Sequence, residues 1–563
     1  MKEKNCSNLI KINPTFGIEK SLVKEKMGSN KIFTKLQTWF LKIKYKEVLF
    51  LVLIFLAAFL FRRIGLKFGF PLLTHHDESI SLNPVYGMTL ERTLHSGDFR
   101  RPDKVLYFLN LIWLNLISLI KYGKFLNLTF PEHQLTFYFH ARLLIAFMGA
   151  LTPVVAYKIG KQFKPDFSIP TALLFAFFPV YVTHSHYATP DVPITLFTLI
   201  IILLCIRYVK EEQNKHIYLA VVLAALNTIE KYPGLLSFSI VIVALFLKVM
   251  DNSQEKIVVD FRQFWKYLSL LTGIFLITLY ALGPNLFIEY GQTIDAITQE
   301  ARTRHLGADN LGWAGNILFY LEQFVRESNP LILLFTLAGV IGLIRIKDKS
   351  GILLLYGFAY WIIMSKLGLH WVRWALPMYT APLLLAGEGV AFLWHIPKKK
   401  ILQYLLILLF LWAISQQMIT SLANSARMGF TDTRLIALEY CNKNGITSNN
   451  AIYEGYTPLF PQFYKTIFDQ DPDSQDETIK YVILSSNMYG RYLYEPDRYV
   501  DQVNYYLAIE QNHKLIKEFE PTLNPTDLQG KIEDIIYYFL RYFNINQEAR
   551  YTGPTIKIFK IVE

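Results

Sequence analysis

The chain alternates between long apolar segments and short polar ones. The apolar segments lie near residues 47–63, 105–122, 140–160, 168–184, 190–209, 216–230, 234–249, 267–283, 330–346, 350–366, 372–394 and 401–420. Most of them approach the roughly 20 predominantly apolar residues that a helix needs to cross a bilayer. The pattern therefore predicts a polytopic α-helical membrane protein.

The basic residues between these segments predict how the chain is oriented. They cluster at 158–164, 207–215, 248–262, 345–349 and 398–400. If segment 105–122 does not cross the membrane, all of these clusters fall on one side, which is then the cytoplasm because short cytoplasmic loops are rich in Lys and Arg. We therefore expect about eleven transmembrane helices, with segment 105–122 held at the outer interface although it is long enough to span.

The same orientation places the remaining polar residues together. It puts residues 74–79, whose sequence is Thr-His-His-Asp-Glu-Ser, on the outer face, together with Asp191, Lys231, Arg373 and everything beyond residue 421. A transport pathway would instead need polar groups near the bilayer midplane, often on broken helices. Because the centres of the apolar segments are mostly free of charge, the pattern indicates a site at their outer ends.

Composition supports the membrane class and argues against nucleic acid as a partner. Only 18% of the residues are charged, whereas soluble proteins carry about a quarter. The formal net charge of +12 is concentrated in the first 46 residues and in the short loops, where it follows membrane orientation. The three cysteines, Cys6, Cys205 and Cys441, are too scattered to predict a disulfide framework or a cysteine metal site.

We divide the chain into three predicted domains. Residues 1–46 are expected to be a Lys-rich cytoplasmic tail that is attracted to anionic lipid. Residues 47–420 are expected to form the transmembrane domain, and residues 421–563 a small extracytoplasmic soluble α/β domain. Within the last, short strands are expected at 481–484 and 556–559, and helices at 432–442 and 531–543.

Two adjacent acids, Asp77 and Glu78, are the first candidates for chemistry, and two histidines precede them. A carboxylate beside an apolar surface has a raised proton affinity, which suits a general base. The ordinary alternative is a helix-capping aspartate at the lipid interface. The adjacent acidic pair makes this alternative less attractive.

A second candidate group comprises Asp191, His184 and His186, at a junction between two apolar segments. Asp191 follows a proline, so it could simply begin a helix. Alternatively, it faces Asp77 across the outer mouth and positions an acceptor. Asp77 and Asp191, with or without the histidines, could also hold a divalent metal ion.

Four further residues are candidates for binding a phosphate at the membrane surface. Lys231 and Tyr232 form a very short outer turn, where the positive-inside bias does not explain a lysine. Arg373 lies just inside a span and needs an anionic partner, because a buried unpaired charge costs on the order of a few kcal/mol. His370 would strengthen such a pocket, while snorkelling to ordinary headgroups is the alternative for both cations.

Four segments carry these candidates, and their order along the chain resembles the GT-C membrane glycosyltransferases. Among these, the chain most resembles the group of protein O-mannosyltransferases and aminoarabinose lipid A transferases. The matching motifs are the Asp-Glu pair at 77–78, the helix end that leads to Asp191, the Lys-Tyr turn at 231–232 and the Arg-x-x-x-Pro segment at 373–377. Trp374 departs from the tyrosine that follows the arginine in that group. The resemblance covers about residues 47–420.

The resemblance implies a GT-C core with interfacial helices in its first outer loop, and inverting transfer of a sugar from a polyprenyl-phosphate donor to a lipid, protein or glycan acceptor. Asp77 would be the base and Glu78 would assist it, with Asp191 completing the site. Lys231 and Arg373 would bind the phosphate. A divalent metal between the two aspartates is present in some relatives and absent in others.

We expect the protein in a bacterial inner membrane, with its N-terminus in the cytoplasm. Two alternatives remain open at this stage. One is a multi-pass transporter or flippase of lipid-linked sugars. The other is a ligase or polymerase of lipid-linked polysaccharide.

Overall fold

The structure, a computed structural model, describes residues 45–99, 102, 104–211, 213–254, 256–345, 348–468, 478–522, 527–545 and 548–562. The predicted N-terminal tail lies almost wholly outside the described residues. The chain divides into two compact units, residues 1–53 and 54–563. In the first unit, the described residues 45–53 are helical.

Helices account for most of the described residues, and the first of them, α1, comprises residues 45–63. The others are α2 His76–Glu91, α3 Lys104–Tyr122, α4 Leu126–Thr129, α5 Gln134–Lys161, α6 Pro165–Phe177, α7 Pro179–His184, α8 Asp191–Glu211, α9 Asn214–Glu230, α10 Phe238–Val249, α11 Phe261–Leu282, α12 Asn285–Ile288, α13 Tyr290–Glu300, α14 Gly312–Ser328, α15 Pro330–Arg345, α16 Tyr356–Met364, α17 Thr380–Trp394, α18 Lys400–Met428, α19 Thr433–Lys443, α20 Ser486–Tyr494, α21 Val500–Asn512 and α22 Leu528–Tyr542. Three 3-10 helices cover Tyr232–Ser237, Lys349–Leu355 and Val372–Ala375.

By length and composition, six helices among the described residues could cross a membrane, or seven if the bent pair α14–α15 is one span. The six are α3, α5, α8, the helix Tyr232–Val249, α11 and α18. The larger number expected from the sequence, about eleven, includes shorter apolar helices such as Pro165–Phe177 and Thr380–Trp394. The predicted class of polytopic helical membrane protein is confirmed, whereas the count of eleven stays a prediction.

Prolines explain where several helices end. The residue before a proline is driven away from helical backbone angles. Phe178 accordingly adopts an extended conformation before Pro179, which separates α6 from α7. Asn329 has a φ of 96° before Pro330, and α14 and α15 meet there at 113°.

The loops gather at two ends of the helix bundle. At one end, Lys210 donates to the backbone oxygen of Gln162 and pairs with Asp348 at 2.5 Å. In the same region, Lys349 donates to the backbone oxygen of Met250 at 3.0 Å. These contacts bring several of the basic loops together, as their predicted common sidedness requires.

Both ends of α3 lie at the opposite end of the bundle. The backbone N–H of Leu106, in its first turn, donates to Glu230 at the end of α9 at 2.8 Å. Its last residue, Tyr122, donates to Thr136 in the first turn of α5 at 3.1 Å. The end of α9 and the start of α5 are both remote from the Gln162 end, so α3 does not run from one end of the bundle to the other. This geometry supports the expected interfacial position.

The C-terminal region is built around a four-stranded sheet. Its strand order is β4 (Ala451–Tyr453), β5 (Tyr481–Ser485), β8 (Ile556–Lys560) and β6 (Lys514–Phe519). Only the β4–β5 pair is parallel. Alternate residues of β5 and β8 pack into two apolar clusters, as expected for a sheet that is covered on both faces.

Smaller strands complete the described elements. A parallel pair joins β3 (Thr431–Asp432) to β7 (Tyr551–Thr552), and an antiparallel pair joins β1 (Met250–Gln254) to β2 (Lys256–Val259). The two strands and two helices predicted in the C-terminal region are confirmed as β5, β8, α19 and α22. Helix α18 continues to Met428, past the predicted domain boundary at residue 421, and that boundary stays a prediction.

Candidate active site

The first ion pair of the site joins the start of α2 to the Val372–Ala375 helix. Asp77 lies in the first turn of α2. Its carboxylate is paired with the guanidinium of Arg373, and both side chains are partly exposed. The guanidinium also lies 5.5 Å from the ring centre of Trp371. Asp77 thus supplies the anionic partner that the sequence position of Arg373 requires.

A second ion pair joins α8 to the end of α9. Asp191 is the first residue of α8, and Lys231 follows the last residue of α9. Because the two helices form a hairpin, the start of α8 meets the end of α9, and Lys231 Nζ lies 2.6 Å from Asp191 Oδ1. Asp191 is buried, whereas Lys231 keeps some exposure.

Aromatic contacts connect the two ion pairs. The ring of His75 stacks on Tyr187 with 4.2 Å between ring centres. His184 approaches the same tyrosine at 5.7 Å and lies within electrostatic range of Asp191 and Lys231. The segments that carry the two predicted aspartates are therefore in direct contact through these rings, and that their ion pairs form one site stays a prediction.

Glu78 is buried in the protein interior and is paired with Arg142. Its carboxylate accepts two hydrogen bonds from Arg142, at 2.8 and 2.7 Å, and one from the backbone N–H of Ala188 at 3.0 Å. Arg142 also donates to the backbone oxygens of Leu66 and Phe68, both at 2.9 Å. Neither charged side chain is exposed. Unlike Asp77, Glu78 is not placed against a partly exposed cation, and its expected assistance in catalysis stays a prediction.

Arg142 was missed by sequence reasoning, although a signal for it existed. It lies within the apolar segment 140–160, where an unpaired charge is costly. The need for an acidic partner would have pointed to one of the few acids predicted on the same face. The ion pair with Arg142 uses the carboxylate of Glu78 and fixes the first turn of α2, where Asp77 lies.

The structure separates the two predicted histidines. His186 is fully buried, and its two ring nitrogens contact the backbone oxygens of Val182 and Ile64 at 2.9 and 2.7 Å. It connects α7 to the end of α1 and is not brought to the carboxylates. His184, in contrast, lies beside the Asp191–Lys231 pair.

The other two predicted phosphate ligands make contacts with neighbouring loops. The hydroxyl of Tyr232 donates to the backbone oxygen of Phe99 at 2.6 Å. The backbone N–H of His370 donates to Ala308 at 2.9 Å, and its ring packs on Phe319. Burial lowers the pKa of His370, which favours the neutral form of its ring, and its role in binding phosphate stays a prediction.

The C-terminal region contributes residues that the sequence did not indicate. The ring of Phe463 packs edge-on against His76, with 4.9 Å between ring centres. Gln462 donates to the backbone oxygen of Leu72 at 3.2 Å. Tyr456 lies within electrostatic range of Arg373. No local pattern at 456–463 predicts these contacts, which depend on how the region docks.

The surroundings of the two aspartates bear on the expected divalent metal. Across the part of the chain that the structure describes, no three or more His, Cys, Asp or Glu side chains are grouped so that they could hold a metal ion. Asp77 and Asp191 each have a cationic side chain as partner instead. The divalent metal between the two aspartates therefore stays a prediction.

Comparison with known proteins supports the resemblance. A model of the family described as dolichyl-phosphate-mannose-protein mannosyltransferase matches residues 137–281. The apo crystal structure of the Archaeoglobus fulgidus oligosaccharyltransferase matches with a TM-score of 0.51 and 10% identity, over 92% of this chain and 89% of that one. ArnT from Cupriavidus metallidurans, bound to undecaprenyl phosphate, matches with a TM-score of 0.48 and 11% identity, over 92% and 98% of the two chains. No curated protein matches the sequence.

The chain thus has the fold of the GT-C membrane glycosyltransferases, as the resemblance predicts. At 10% identity the structural likeness concerns the fold, and the family match is confined to the segment from α5 to α11. The findings therefore show the fold and a local likeness to that family, and they leave donor and acceptor open.

Proposed function

We propose that the protein is an inverting glycosyltransferase that moves a sugar from a polyprenyl-phosphate donor to an acceptor on the outer face of the membrane. The observation that carries the proposal is two carboxylate–cation pairs, Asp77–Arg373 and Asp191–Lys231, on segments that are in contact through His75 and Tyr187. The match of residues 137–281 to a family that is described by a lipid-phosphate sugar donor supports this donor class. On the proposed outer face, sugar nucleotides, which are made in the cytoplasm, would not be available as donors.

In the proposed reaction, Asp77 accepts the proton of the acceptor's hydroxyl or amine. The acceptor atom attacks the anomeric carbon, and the bond from that carbon to the phosphate oxygen breaks on the opposite side, which inverts the configuration. The bonding electrons leave with the phosphate. Proton removal by a positioned base typically contributes about 10²–10⁴-fold to such a step.

Arg373 and Lys231 are proposed to bind the leaving phosphate. A guanidinium can donate two parallel hydrogen bonds to a phosphate, while an ammonium supplies a compact charge. Cations that are already in place stabilise the charge that develops as the carbon–oxygen bond breaks. Asp191 would hold Lys231 in position through their 2.6 Å contact, with His184 beside them.

The Asp77–Arg373 pair implies competition in this mechanism. A donor phosphate that binds Arg373 offers the guanidinium a second anionic partner, and the two anions share a limited set of donors. Donor binding would then loosen the hold of Arg373 on Asp77 and leave the carboxylate available as a base. Arg373 would thus pair with Asp77 before the donor binds and with the donor phosphate afterwards.

Mass spectrometry of cell glycolipids and glycoproteins, with and without the gene, tests the proposal. We expect a sugar addition that disappears without the gene and returns with the wild-type chain. Arg373→Ala should fail to restore it. Arg345→Ala, a cation at the other end of α15 from the site, is the matched control and should restore it.

A different result would favour a different class. If no glycolipid or glycoprotein changes while lipid-linked sugars accumulate on the cytoplasmic face, the protein would be a flippase. If the missing product is a polymer and Asp77→Asn restores it, a ligase or polymerase mechanism would replace the proposed one.

A further inference from the structure

Helix α22, in the C-terminal region, turns an apolar face outward. Leu528, Ile532, Ile536, Phe539 and Phe543 are between 36% and 65% exposed. They follow one another at intervals of four, four, three and four residues, which places them on a single face of a helix. A helix of a water-soluble domain would bury this face.

The polar side of α22 is directed into the protein instead. Asp534 is fully buried and is paired with Arg427 at 2.5 Å and Arg550 at 2.7 Å. Lys531 donates to Thr420 at 2.9 Å. Because these ion pairs satisfy the buried carboxylate of Asp534, they fix which side of the helix faces outward.

Helix α22 lies at a defined height beside α18. Helix α18 is a candidate membrane span that begins at Lys400, directly after two further lysines. Thr420, the contact point with α22, is about 30 Å along the helix from Lys400 at 1.5 Å per residue. That distance equals the thickness of the hydrocarbon core of a bilayer. With the lysines at the cytoplasmic boundary of the hydrocarbon core, α22 lies at the height of its opposite boundary.

We infer that α22 is an interfacial helix whose apolar face is embedded in the outer leaflet of the membrane. Continuity with the apolar surface of α18, where Leu405, Leu408 and Trp412 are exposed, favours lipid over a second copy of the chain. Exposed Tyr542 beside the stripe suits the headgroup layer, where aromatic side chains are enriched. Such helices lie about 5–10 Å into the headgroup and acyl boundary.

This position would attach the whole C-terminal region to the bilayer. Arg550, the partner of Asp534, precedes strand β7, and β7 pairs with β3 just after α18. The membrane contact of α22 is thereby connected to the fold that presents Phe463 to the site. The inference requires α18 to span the membrane and does not depend on the proposed reaction.

Quenching of a fluorescent label tests the inference on the full chain. Cysteines would be introduced at Ile536 and Phe539, each in a background in which the native cysteines are replaced by alanine, and labelled with bimane in phosphatidylethanolamine–phosphatidylglycerol liposomes. Leu507 on α21 is the matched control, because it is also apolar and 41% exposed. Lipids that carry a doxyl group near the headgroup should quench the labels at 536 and 539 several-fold more strongly than the label at 507. Iodide in the water should show the reverse order.

Two outcomes would overturn the inference. If iodide reaches position 536 as readily as position 507, the apolar face is in water. If neither quencher reaches positions 536 and 539, protein covers them, and cross-linking between copies would identify a dimer. Substitutions at exposed positions usually change stability by less than about 0.5 kcal/mol, so the labelled chains should fold; their thermal unfolding in detergent checks this.

Discussion

At the scale of single residues, the Asp77–Arg373 pair gives the proposed mechanism its sharpest test. Asp77→Asn removes the negative charge but keeps the size of the side chain, so Arg373 loses its ionic partner. We expect this variant to lose transfer and yet to bind undecaprenyl phosphate several-fold more tightly than the wild type. Binding to purified protein in detergent, measured by quenching of tryptophan fluorescence, checks the second expectation.

Asp166→Asn is the control for this experiment, because Asp166 pairs with His395 and is exposed. It should leave the affinity for undecaprenyl phosphate unchanged. Equal or weaker binding by Asp77→Asn would mean that Arg373 does not receive the phosphate. Loss of transfer alone would still leave Asp77 as the candidate base, so the two conclusions separate.

The residues of the site show what a sequence can and cannot predict. Arg373 was expected to need an anion because of its place in an apolar segment, and its partner proved to be a predicted residue, Asp77. Glu78 is adjacent in sequence, yet its partners Arg142 and Ala188 are 64 and 110 positions away. Which of two neighbouring carboxylates turns inward depends on the packing of α5 against α2, and no local pattern encodes it.

At the scale of elements, α3 offers a direct test of topology. Its ends contact Glu230 and Thr136, which lie at the same end of the bundle. We expect cysteines at Leu94, shortly before α3, and Lys121, at its end, to react with a membrane-impermeant maleimide from the same side of the membrane. Labelling of whole cells and of inverted vesicles compares the two sides.

A cysteine at Lys398, in the opposite set of loops, is the control and should react only from the other side. Labelling of Leu94 and Lys121 from opposite sides would show that α3 crosses the membrane. In that case the basic clusters, which the interfacial position assigns to the cytoplasm, would lie outside. The test therefore checks the orientation of the entire chain.

For helix α22, the sequence predicted the helix itself but not which side of it is buried. The sequence predicted a helix at 531–543, and the structure begins it three residues earlier, at Leu528. Only the contacts of Asp534 and Lys531 with α18 show that the polar side is the buried one.

At the scale of the whole molecule, the sequence predicted the gathering of polar residues better than it predicted their surroundings. Counting spans against basic loops predicted Asp77, Asp191, Lys231 and Arg373 on one face, and the structure pairs Asp77 with Arg373 and Asp191 with Lys231. The contact of the C-terminal region with the segment that carries Asp77 was not predicted. It depends on contacts such as Phe463 with His76, between segments that are far apart in sequence.

Glu454 is a buried acid that lies just before the segment containing Tyr456 and Phe463. Glu454 follows strand β4, and its side chain is fully buried. It accepts hydrogen bonds from the backbone N–H of Ser485 and, at 2.7 Å, from the hydroxyl of Tyr506. Two residues later, Tyr456 has a φ of 59° and lies within electrostatic range of Arg373. The carboxyl group thus connects the C-terminal sheet to the segment over the site.

The protonation of Glu454 predicts how the stability of the protein varies with pH. Burial raises the pKa of this carboxyl from 4.5 to about 8, so between these values the folded chain keeps a proton that the unfolded chain releases. The contribution to stability is complete below pH 4.5 and is lost as pH rises to about 8. Glu454→Gln stays neutral and can keep both hydrogen bonds, so its thermal unfolding temperature should fall less than that of the wild type between pH 6 and pH 9. Glu510→Gln, at an exposed ion pair with Lys557, should follow the wild type, and parallel curves for all three proteins would contradict the prediction.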